Sequence, residues 1–300
     1  MSWASTLRMI SPALATRAAQ RWDINNLELI GRSANAVYRG LRGSETVFMR
    51  LLHCEQRDQE FLASGIDWAR HLAAHGVDVT VALESKSGFL IEEIDTVWLA
   101  VAWCGISGIP LGDDLSPVQL EAWGMALGKL HLASSSYVPS LTRTPNGDFL
   151  PERFYLAKFW KNIKAALEPD AELFSVYQEL TRWLAALPET ELIICHGDFR
   201  PANAIWDGEK VRIIDFDEPT LAHPEYDIAR ACLRDDCQLF PTGHLEIFLR
   251  GYNRILPCNT ARVTNYLRVR VLLMLAWDMQ ENSMDSGFLE TARHLVLGQK

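Results

Sequence analysis

Short apolar runs separated by polar turns fill the N-terminal part of the chain, and longer stretches with apolar residues at helical spacing follow. The early pattern predicts a short helix over 12–22 and strands over 27–30, 36–41 and 46–52. Strands that are joined by tight turns pair as an antiparallel meander. The sequence therefore predicts a small antiparallel sheet near the N-terminus.

The next stretch alternates between helix and strand signals. Apolar residues at helical spacing predict a helix over 62–75 that Gly76 ends. Strands are predicted over 77–83, 89–94 and 96–103. After them, residues 104–108 form a short glycine-containing link, and the signals beyond it are mainly helical.

Helical patterns dominate the rest of the chain. Ser116-Pro117 is typical of a helix start, and further helical stretches are predicted over 151–167 and 170–187. A loop rich in Pro, Gly and Asn is expected over 140–151. Helices are also predicted from about 242 onward, so the C-terminal part is expected to be larger and mainly helical.

One stretch among these helices has the pattern of strands that end at acidic residues. The apolar run 193–195 stops at His196-Gly197-Asp198, and a second run over 211–214 stops at Asp215. The Asp207-Gly208 turn between the runs predicts a β-hairpin. Antiparallel pairing of the two runs would bring their carboxylates close together.

This arrangement suits phosphoryl transfer. An Asp that meets the attacking hydroxyl, an Asn five residues later and a second Asp are the elements of a kinase site. Asp198 would accept the hydroxyl proton, and Asn203 and Asp215 would supply oxygen ligands for Mg²⁺. A plainer interpretation is a strand-turn-strand unit with acidic residues on the surface.

Three motifs in order resemble the aminoglycoside phosphotransferase and choline kinase family. They are the His196 to Asn203 segment, Ile214-Asp215-Phe216-Asp217 and Tyr226-Asp227-Ile228-Ala229. The resemblance implies an α+β, bilobal, protein-kinase-like fold with a small antiparallel-sheet N-lobe and a larger, mainly helical C-lobe. It places the nucleotide-binding lobe over 1–104 and the catalytic and substrate-binding lobe over 105–300.

The resemblance also implies nucleotide contacts in the N-lobe. Asn35 opens an Asn-x-Val-Tyr segment that would cover the phosphates of ATP or GTP, and Arg50 would contact those phosphates. Backbone groups of Trp103, Cys104 and Ile106 would hydrogen-bond the base.

One position departs from the family pattern. Gly65 stands where relatives place a Glu that orients the phosphate-contacting cation, and the nearby acids Glu60 and Asp67 are out of register. This departure puts the ion pair of Arg50 in doubt.

Five residues in or near the motifs have supporting or open roles. Asp227 is expected to hydrogen-bond the backbone of the catalytic loop, and His196 to brace that loop. His131 is expected to be a packing histidine. Arg200 is a cation beside the expected base that could contact the phosphate or an acidic substrate, or could be a surface residue. Asp217 would either contribute to the coordination of the metal ion or pair with a nearby residue.

The composition of the chain limits the classes of partner that it is expected to bind. The formal net charge is −9, which argues against nucleic acid and anionic membranes as partners. Six cysteines without paired spacing suggest reduced thiols and a cytoplasmic protein. Neither a convincing signal peptide nor a membrane span is expected. The pattern leaves the oligomeric state undetermined.

The expected acceptor is a hydroxyl of a small molecule. The acidic balance and the residues Asp278, Glu281 and Asp285 favour a cationic acceptor, although a solvated acidic helix face is the plainer interpretation of those residues. Two alternatives stay open. One is a protein Ser/Thr kinase of the bacterial stress-response type, and the other is a nucleotide-binding pseudokinase, which the Gly65 departure motivates.

Overall fold

The computed structural model describes residues 9–32, 35–55, 59–138, 160–234, 238–281 and 286–298. The chain clusters into two compact units, Met1–Gly108 with Val138–Phe149, and Ile109–Tyr137 with Leu150–Lys300. The predicted α+β class is confirmed, because the first unit contains a five-stranded antiparallel sheet and the second is mainly helical. The assignment of 1–104 and 105–300 to nucleotide binding and catalysis stays a prediction.

In the part of the chain that the structure describes, the first unit is a sheet with two helices. Its strands follow the order β1-β2-β3-β5-β4, and every neighbouring pair is antiparallel. Trp22, Met49 and Leu51 are fully buried in the core that α1 forms with the sheet. The elements are α1 (Pro12–Gln20), β1 (Asn25–Arg32), β2 (Ala36–Arg42), β3 (Glu45–His53), α2 (Gln59–Ala74), β4 (Ile91–Ile94) and β5 (Trp98–Cys104).

The strand predicted over 77–83 is wrong. This segment makes isolated bridges in place of a strand. One of them joins Ala82 to Trp103 and is flanked by hydrogen bonds from Leu83 to Ala102 and from Cys104 to Val81. The physical reason is the limited open edge of β5. Because β4 already pairs with β5 from Trp98 to Val101, only the last residues of β5 are left for another segment.

Within its described residues, the second unit consists of helices around three short antiparallel ladders. Its elements are β6 (Ile109–Pro110), α3 (Pro117–Ser134), α4 (Lys164–Leu167), α5 (Ala171–Ala185), β7 (Ile193–Cys195), β8 (Ala204–Trp206), β9 (Val211–Ile213), β10 (Thr220–Ala222), α6 (Glu225–Ala231), α7 (Thr242–Tyr252), α8 (Thr260–Glu281) and α9 (Ser286–Leu297). The loop predicted over 140–151 and most of the helix predicted over 151–167 lie outside the described residues. No helix in the described ranges is long and apolar enough to cross a membrane.

Helices α3 and α7 approach each other closely because glycines line their contact. A Cβ atom added at Gly124 would lie 1.9 Å from the Phe248 carbonyl oxygen, and one added at Gly251 would lie 1.9 Å from that of Glu121. The start of α3 is fixed by a capping box between Ser116 and Gln119. This packing fixes α3, which carries a buried histidine toward the motif stretch.

The predicted hairpin has different strands. The Asp207-Gly208 turn joins β8 to β9, whereas β7 pairs with β10, with Cys195 opposite Thr220. The reason is that Gly197, with φ +85°, turns the chain at the end of β7. A 3₁₀ turn at Pro201–Asn203 then leads into β8, so the hairpin partner of β9 starts only after the His-Gly-Asp segment.

Candidate active site

The loop from His196 to Asn203, which we call the catalytic loop, begins where β7 ends. Gly197 adopts a left-handed backbone that favours glycine. A Cβ atom there would lie 1.8 Å from the Glu218 carbonyl oxygen and 2.7 Å from Thr220 Oγ1. The close approach of the 218–220 segment therefore requires a glycine between His196 and Asp198.

Asp227 at the start of α6 holds this loop by its backbone. Its Oδ2 accepts the His196 N–H at 2.6 Å, and its Oδ1 accepts the Gly197 N–H at 2.9 Å. The Asp227 side chain is fully buried. The role expected for Asp227 is confirmed, because it fixes the two residues that precede Asp198.

A second layer of buried side chains supports Asp227. His131 of α3 lies with Nε2 3.1 Å from Asp227 Oδ2 and Nδ1 2.9 Å from the Tyr252 hydroxyl. His131 is fully buried, which confirms that it packs inside the helical unit. The Cys195 thiol lies near His131 and Asp227. Its Sγ atom is within 4.8 Å of a ring nitrogen of His131 and of a carboxylate oxygen of Asp227. Because Asp227 already serves two amides and the imidazole, we interpret this trio as structural support.

The Asp198 carboxylate is surrounded by cationic and amide donors. Its Oδ1 accepts from Arg230 Nε at 2.8 Å and from Arg270 Nη2 at 3.0 Å. Its Oδ2 lies 3.1 Å from Arg200 Nε and accepts from Asn203 Nδ2 at 3.2 Å. Burial by itself would raise the pKa of Asp198, but the charges of Arg230, Arg270 and Arg200 outweigh it and hold that pKa well below its usual range.

Hydrogen bonds link Asn203 to this carboxylate and to the residue that precedes Asp215. Asn203 donates from Nδ2 to both the carbonyl oxygen and Oδ2 of Asp198, and its own carbonyl accepts the Ile214 N–H at 3.0 Å. His196 Nε2 lies 2.9 Å from the Ile214 carbonyl oxygen, as its bracing role requires. Asp215 follows directly with φ +69°. The structure thus joins the segments that carry Asp198, Asn203 and Asp215.

The donor set of these residues fits a hard divalent cation. Because the Asn203 amide nitrogen is directed to Asp198, its amide oxygen is the atom that could ligate a metal. Amide and carboxylate oxygens, from Asn203 and Asp215, are the ligand types that Mg²⁺ prefers. Asp215 stands at the end of the β9 segment in the left-handed backbone region that Asp and Asn tolerate better than other non-glycine residues.

The sequence pattern did not single out Arg230 and Arg270. Arg230 lies within the buried helix α6, and Arg270 lies in α8 directly before the apolar run 271–276. A buried arginine in such surroundings requires an anionic partner. That signal could have marked both residues, although it would not have identified Asp198 as the partner.

The predicted nucleotide contacts all lie in the first unit. Arg50 is in the middle of β3, between Val37 of β2 and Val101 of β5, and Asn35 directly precedes β2. Cys104 ends β5, and its N–H and carbonyl groups bond Val81 and Thr80. Its backbone is therefore engaged within the first unit, as that of Trp103 is by pairing with Phe48 of β3, and the base contacts of Trp103, Cys104 and Ile106 stay predictions.

Gly65 lies on the buried side of α2. A buried glycine therefore occupies the position at which the family resemblance implied an orienting acid.

The acidic residues of α8 differ from the plainer expectation. Asp278 is 4% exposed, so the interpretation of a solvated acidic face is wrong at that position. The Glu281 side chain and Asp285 lie outside what the structure describes.

The chain resembles known proteins in sequence and in fold. The sequence model of the Phosphotransferase enzyme family matches residues 28–270. The amicoumacin kinase of Bacillus subtilis (strain 168) is 22% identical over 278 residues, which cover 86% of this chain and 81% of that protein.

Two solved structures share the fold. The amicoumacin kinase hAmiN in complex with AMP-PNP, Ca²⁺ and Ami has a TM-score of 0.84 at 16% identity, over 99% of this chain and 96% of that one. A microcompartment-associated aminopropanol kinase has a TM-score of 0.76 at 18% identity, over 96% and 95% of the two chains.

The family match and the fold together define a phosphotransferase with a protein-kinase-like architecture. The chain belongs to the phosphotransferase enzyme family, since the match spans most of its length and includes all three motifs.

Proposed function

We propose that this protein transfers the γ-phosphoryl group of ATP, or of GTP, to a hydroxyl group of a small molecule in a Mg²⁺-dependent reaction. The observation that carries the proposal is the position of Asp198. Its carboxylate lies on a loop that Asp227 fixes, and the Asn203 amide bonds it directly. A catalytic base, an amide that can ligate a metal ion and a second acid, connected in this way, are the parts of a phosphoryl-transfer site.

Asp198 is the residue that meets the acceptor. Three arginines keep its carboxylate ionised at neutral pH, so it accepts a hydrogen bond from the acceptor hydroxyl and aligns that oxygen. Such orientation suits a loose transition state, in which little proton transfer is needed before the phosphorus–oxygen bond forms. The proton passes to Asp198 as the new bond develops.

Asn203 and Asp215 would hold Mg²⁺, which when bound neutralises charge on the phosphate oxygens. Arg50 contacts the phosphates, and Asn35 precedes the strand that starts the covering segment. Backbone groups of Trp103, Cys104 and Ile106 receive the base. These nucleotide roles rest on the family motifs and on the positions of the residues in β3 and β5.

The relatives support a proposal for the acceptor class. One fold relative is an aminopropanol kinase, which acts on an amino alcohol, and two others are amicoumacin kinases. We propose an acceptor that carries both a hydroxyl and an amino group, in agreement with the acidic charge of the chain. The five described cysteines are free thiols, which supports action in the reducing cytoplasm.

The test is ADP release by the purified protein with Mg·ATP and a panel of acceptors. The panel contains aminopropanol, amicoumacin, choline, homoserine and an aminoglycoside, with a protein substrate as the competing class. We expect turnover with at least one amino alcohol. Asp198→Asn should lower kcat by a factor of about 100 or more, because the positioned base is lost, and leave ATP affinity nearly unchanged.

Asp207→Asn is the matched control, since Asp207 is an acid of the neighbouring β8–β9 turn that bonds the Glu209 and Lys210 amides. Its turnover should equal that of the wild type. Full phosphoryl transfer by Asp198→Asn would refute the assignment of the base. Binding of Mg·ATP without transfer to any acceptor would instead favour the pseudokinase.

A further inference from the structure

Two buried arginines from separate helices meet on one oxygen of Asp198. Arg230 of α6 donates from Nε to Oδ1 at 2.8 Å, and Arg270 of α8 donates from Nη2 to the same atom at 3.0 Å. Their side chains are 4% and 10% exposed. Charge-assisted bonds of this length are among the stronger hydrogen bonds in proteins. Two such bonds from fixed helices restrict the rotation of the carboxylate.

Both guanidinium groups are also held at a second point. Arg230 Nη1 donates to the Leu233 carbonyl oxygen at 2.8 Å, and Arg270 Nη1 donates to the Gly197 carbonyl oxygen at 3.3 Å. Arg270 Nη1 also lies 3.4 Å from the Tyr226 hydroxyl. Each arginine therefore makes a hydrogen bond to a backbone carbonyl oxygen in addition to its bond to Asp198. Arg270 in addition ties α8 to the catalytic loop.

The second oxygen of Asp198 has different neighbours. Oδ2 is bonded by Asn203 and lies beside Arg200, and both residues belong to the catalytic loop itself. The Arg200 side chain is 31% exposed, several times more than Arg230 or Arg270. Oδ2 therefore lies on the more accessible side of the carboxylate, whereas Oδ1 faces the protein interior.

We propose that Arg230 and Arg270 are positioning residues, which clamp Oδ1 of Asp198 so that Oδ2 faces the acceptor hydroxyl. This inference rests on the proposed function, in which Asp198 meets the acceptor. Stability is a weak reason for the arrangement, because buried ion pairs often contribute no more than apolar side chains of similar size. An orienting role accounts for two buried cations on one oxygen, since small misplacements of a reacting group cost much of the rate.

The test compares variants of these two arginines with a variant of a third arginine, Arg268, which lies on the same helix as Arg270. Arg270→Met and Arg230→Met remove one bond each to Oδ1, and Arg270→Lys keeps the charge but loses the forked donor geometry. Arg268→Met is the matched control. Arg268 also lies on α8, but it donates to Glu179 at 2.7 Å and to the Val296 carbonyl oxygen at 2.9 Å. The folded fraction of each variant is measured by circular dichroism and used to correct the rates.

Steady-state rates are measured with the panel acceptor that is turned over fastest. If the protein turns over no acceptor of the panel, the rate of Mg·ATP hydrolysis by water is measured instead. Arg270→Met and Arg230→Met should each lower kcat by about 100-fold, while KM for ATP stays within a factor of about three. Arg270→Lys should recover part of the loss. Arg268→Met should keep the wild-type kcat even if its thermal midpoint falls.

The proposal is wrong if Arg270→Met retains its kcat, or if its loss matches that of Arg268→Met. Should Arg270→Met fail to fold, Arg270→Lys decides, because a wild-type kcat in that variant would also contradict the clamp. Asp198→Asn is measured in parallel. Full activity of Asp198→Asn would refute the proposed function, whereas an inactive Asp198→Asn beside a fully active Arg270→Met refutes the clamp alone.

Discussion

The imidazole of His131 lies 3.1 Å from the carboxylate of Asp227, and neither side chain is accessible to solvent. Asp227 in turn accepts hydrogen bonds from two backbone amides of the catalytic loop and thereby stabilises the loop. A buried carboxylate that loses its partners, or amides that lose theirs, carries a desolvation penalty. The conformation of the loop therefore depends on helices α3 and α6, which are distant from it in sequence.

Asp227→Asn should destabilise the protein and lower its activity. An asparagine can accept only with its single amide oxygen, so its NH₂ group would face one of the two loop amides and leave it unpaired. The expected loss is about 1–3 kcal/mol of unfolding free energy, measured by urea denaturation, together with slower ADP release. Asp207→Asn is the control, because Asp207 also accepts two amides but at an exposed turn. Equal losses in both variants would contradict the role of burial.

Gly197→Ala should disturb the catalytic loop more than a backbone effect alone. The added Cβ would overlap the Glu218 carbonyl oxygen at 1.8 Å in a left-handed residue, whereas Gly208 has φ +104° and nothing within 4 Å of its Cβ position. Gly208→Ala thus measures backbone strain by itself, which costs about 1–3 kcal/mol. Thermal unfolding should show a clearly larger loss for Gly197→Ala, with activity lost in that variant only. Similar stability for the two variants would show that the 218–220 segment can move away from the added Cβ atom at little energetic cost.

Asp170→Asn should lower stability at neutral pH but not in acid. Asp170 caps α5 by accepting the Glu172 and Leu173 amides, and it pairs with Arg293 of α9. The hydrogen bond from Arg293 is the main reason that the pKa of Asp170 is lowered. A lowered native pKa gives stability that is complete above the unfolded value of about 3.9 and is lost as the pH falls through the native value.

Asparagine is an equally good cap, so Asp170→Asn removes the charge alone. Partial exposure limits the expected loss at pH 7 to about 0.5–1 kcal/mol, and urea titrations at pH 7, 5 and 3 should show the gap closing. Glu168→Gln, which breaks the exposed pair with Lys164, should show almost no loss. A gap for Asp170→Asn that is constant with pH would mean that the ion pair is not its source.

Asp215→Asn should weaken the response to Mg²⁺. Asparagine tolerates the left-handed backbone of residue 215 as well as aspartate does, so only the carboxylate charge changes. The Mg²⁺ concentration for half-maximal turnover should rise by about tenfold or more, as measured by ADP release at fixed ATP. Asp217→Asn, two residues later, shows by the same measurement whether that acid also belongs to the metal shell. An unchanged Mg²⁺ response in Asp215→Asn would remove it from the proposed ligand set.

The local features of this protein could be read from its sequence. Helix α1, strands β2 and β3 and helix α5 follow from apolar spacing and turn residues, which act over a few positions. The spacing of Asp198, Asn203 and Asp215 is likewise contained in one short stretch, so it indicated the chemistry without knowledge of the fold. Those roles stay predictions until the variants are measured.

Tertiary structure decided which distant segments meet. The pairing of β7 with β10 replaced the expected hairpin because Gly197 and the 3₁₀ turn redirect the chain between the two apolar runs. Arg230 and Arg270 lie 32 and 72 positions from Asp198 in sequence, and they reach it only because α6 and α8 pack beside the catalytic loop. Periodicity reports which face of an element is buried, but it carries no information on the partner of a buried charge. The positions of Asp198 and of the proposed metal ligands could therefore be predicted from the local sequence, whereas helix packing determined which cations hold Asp198.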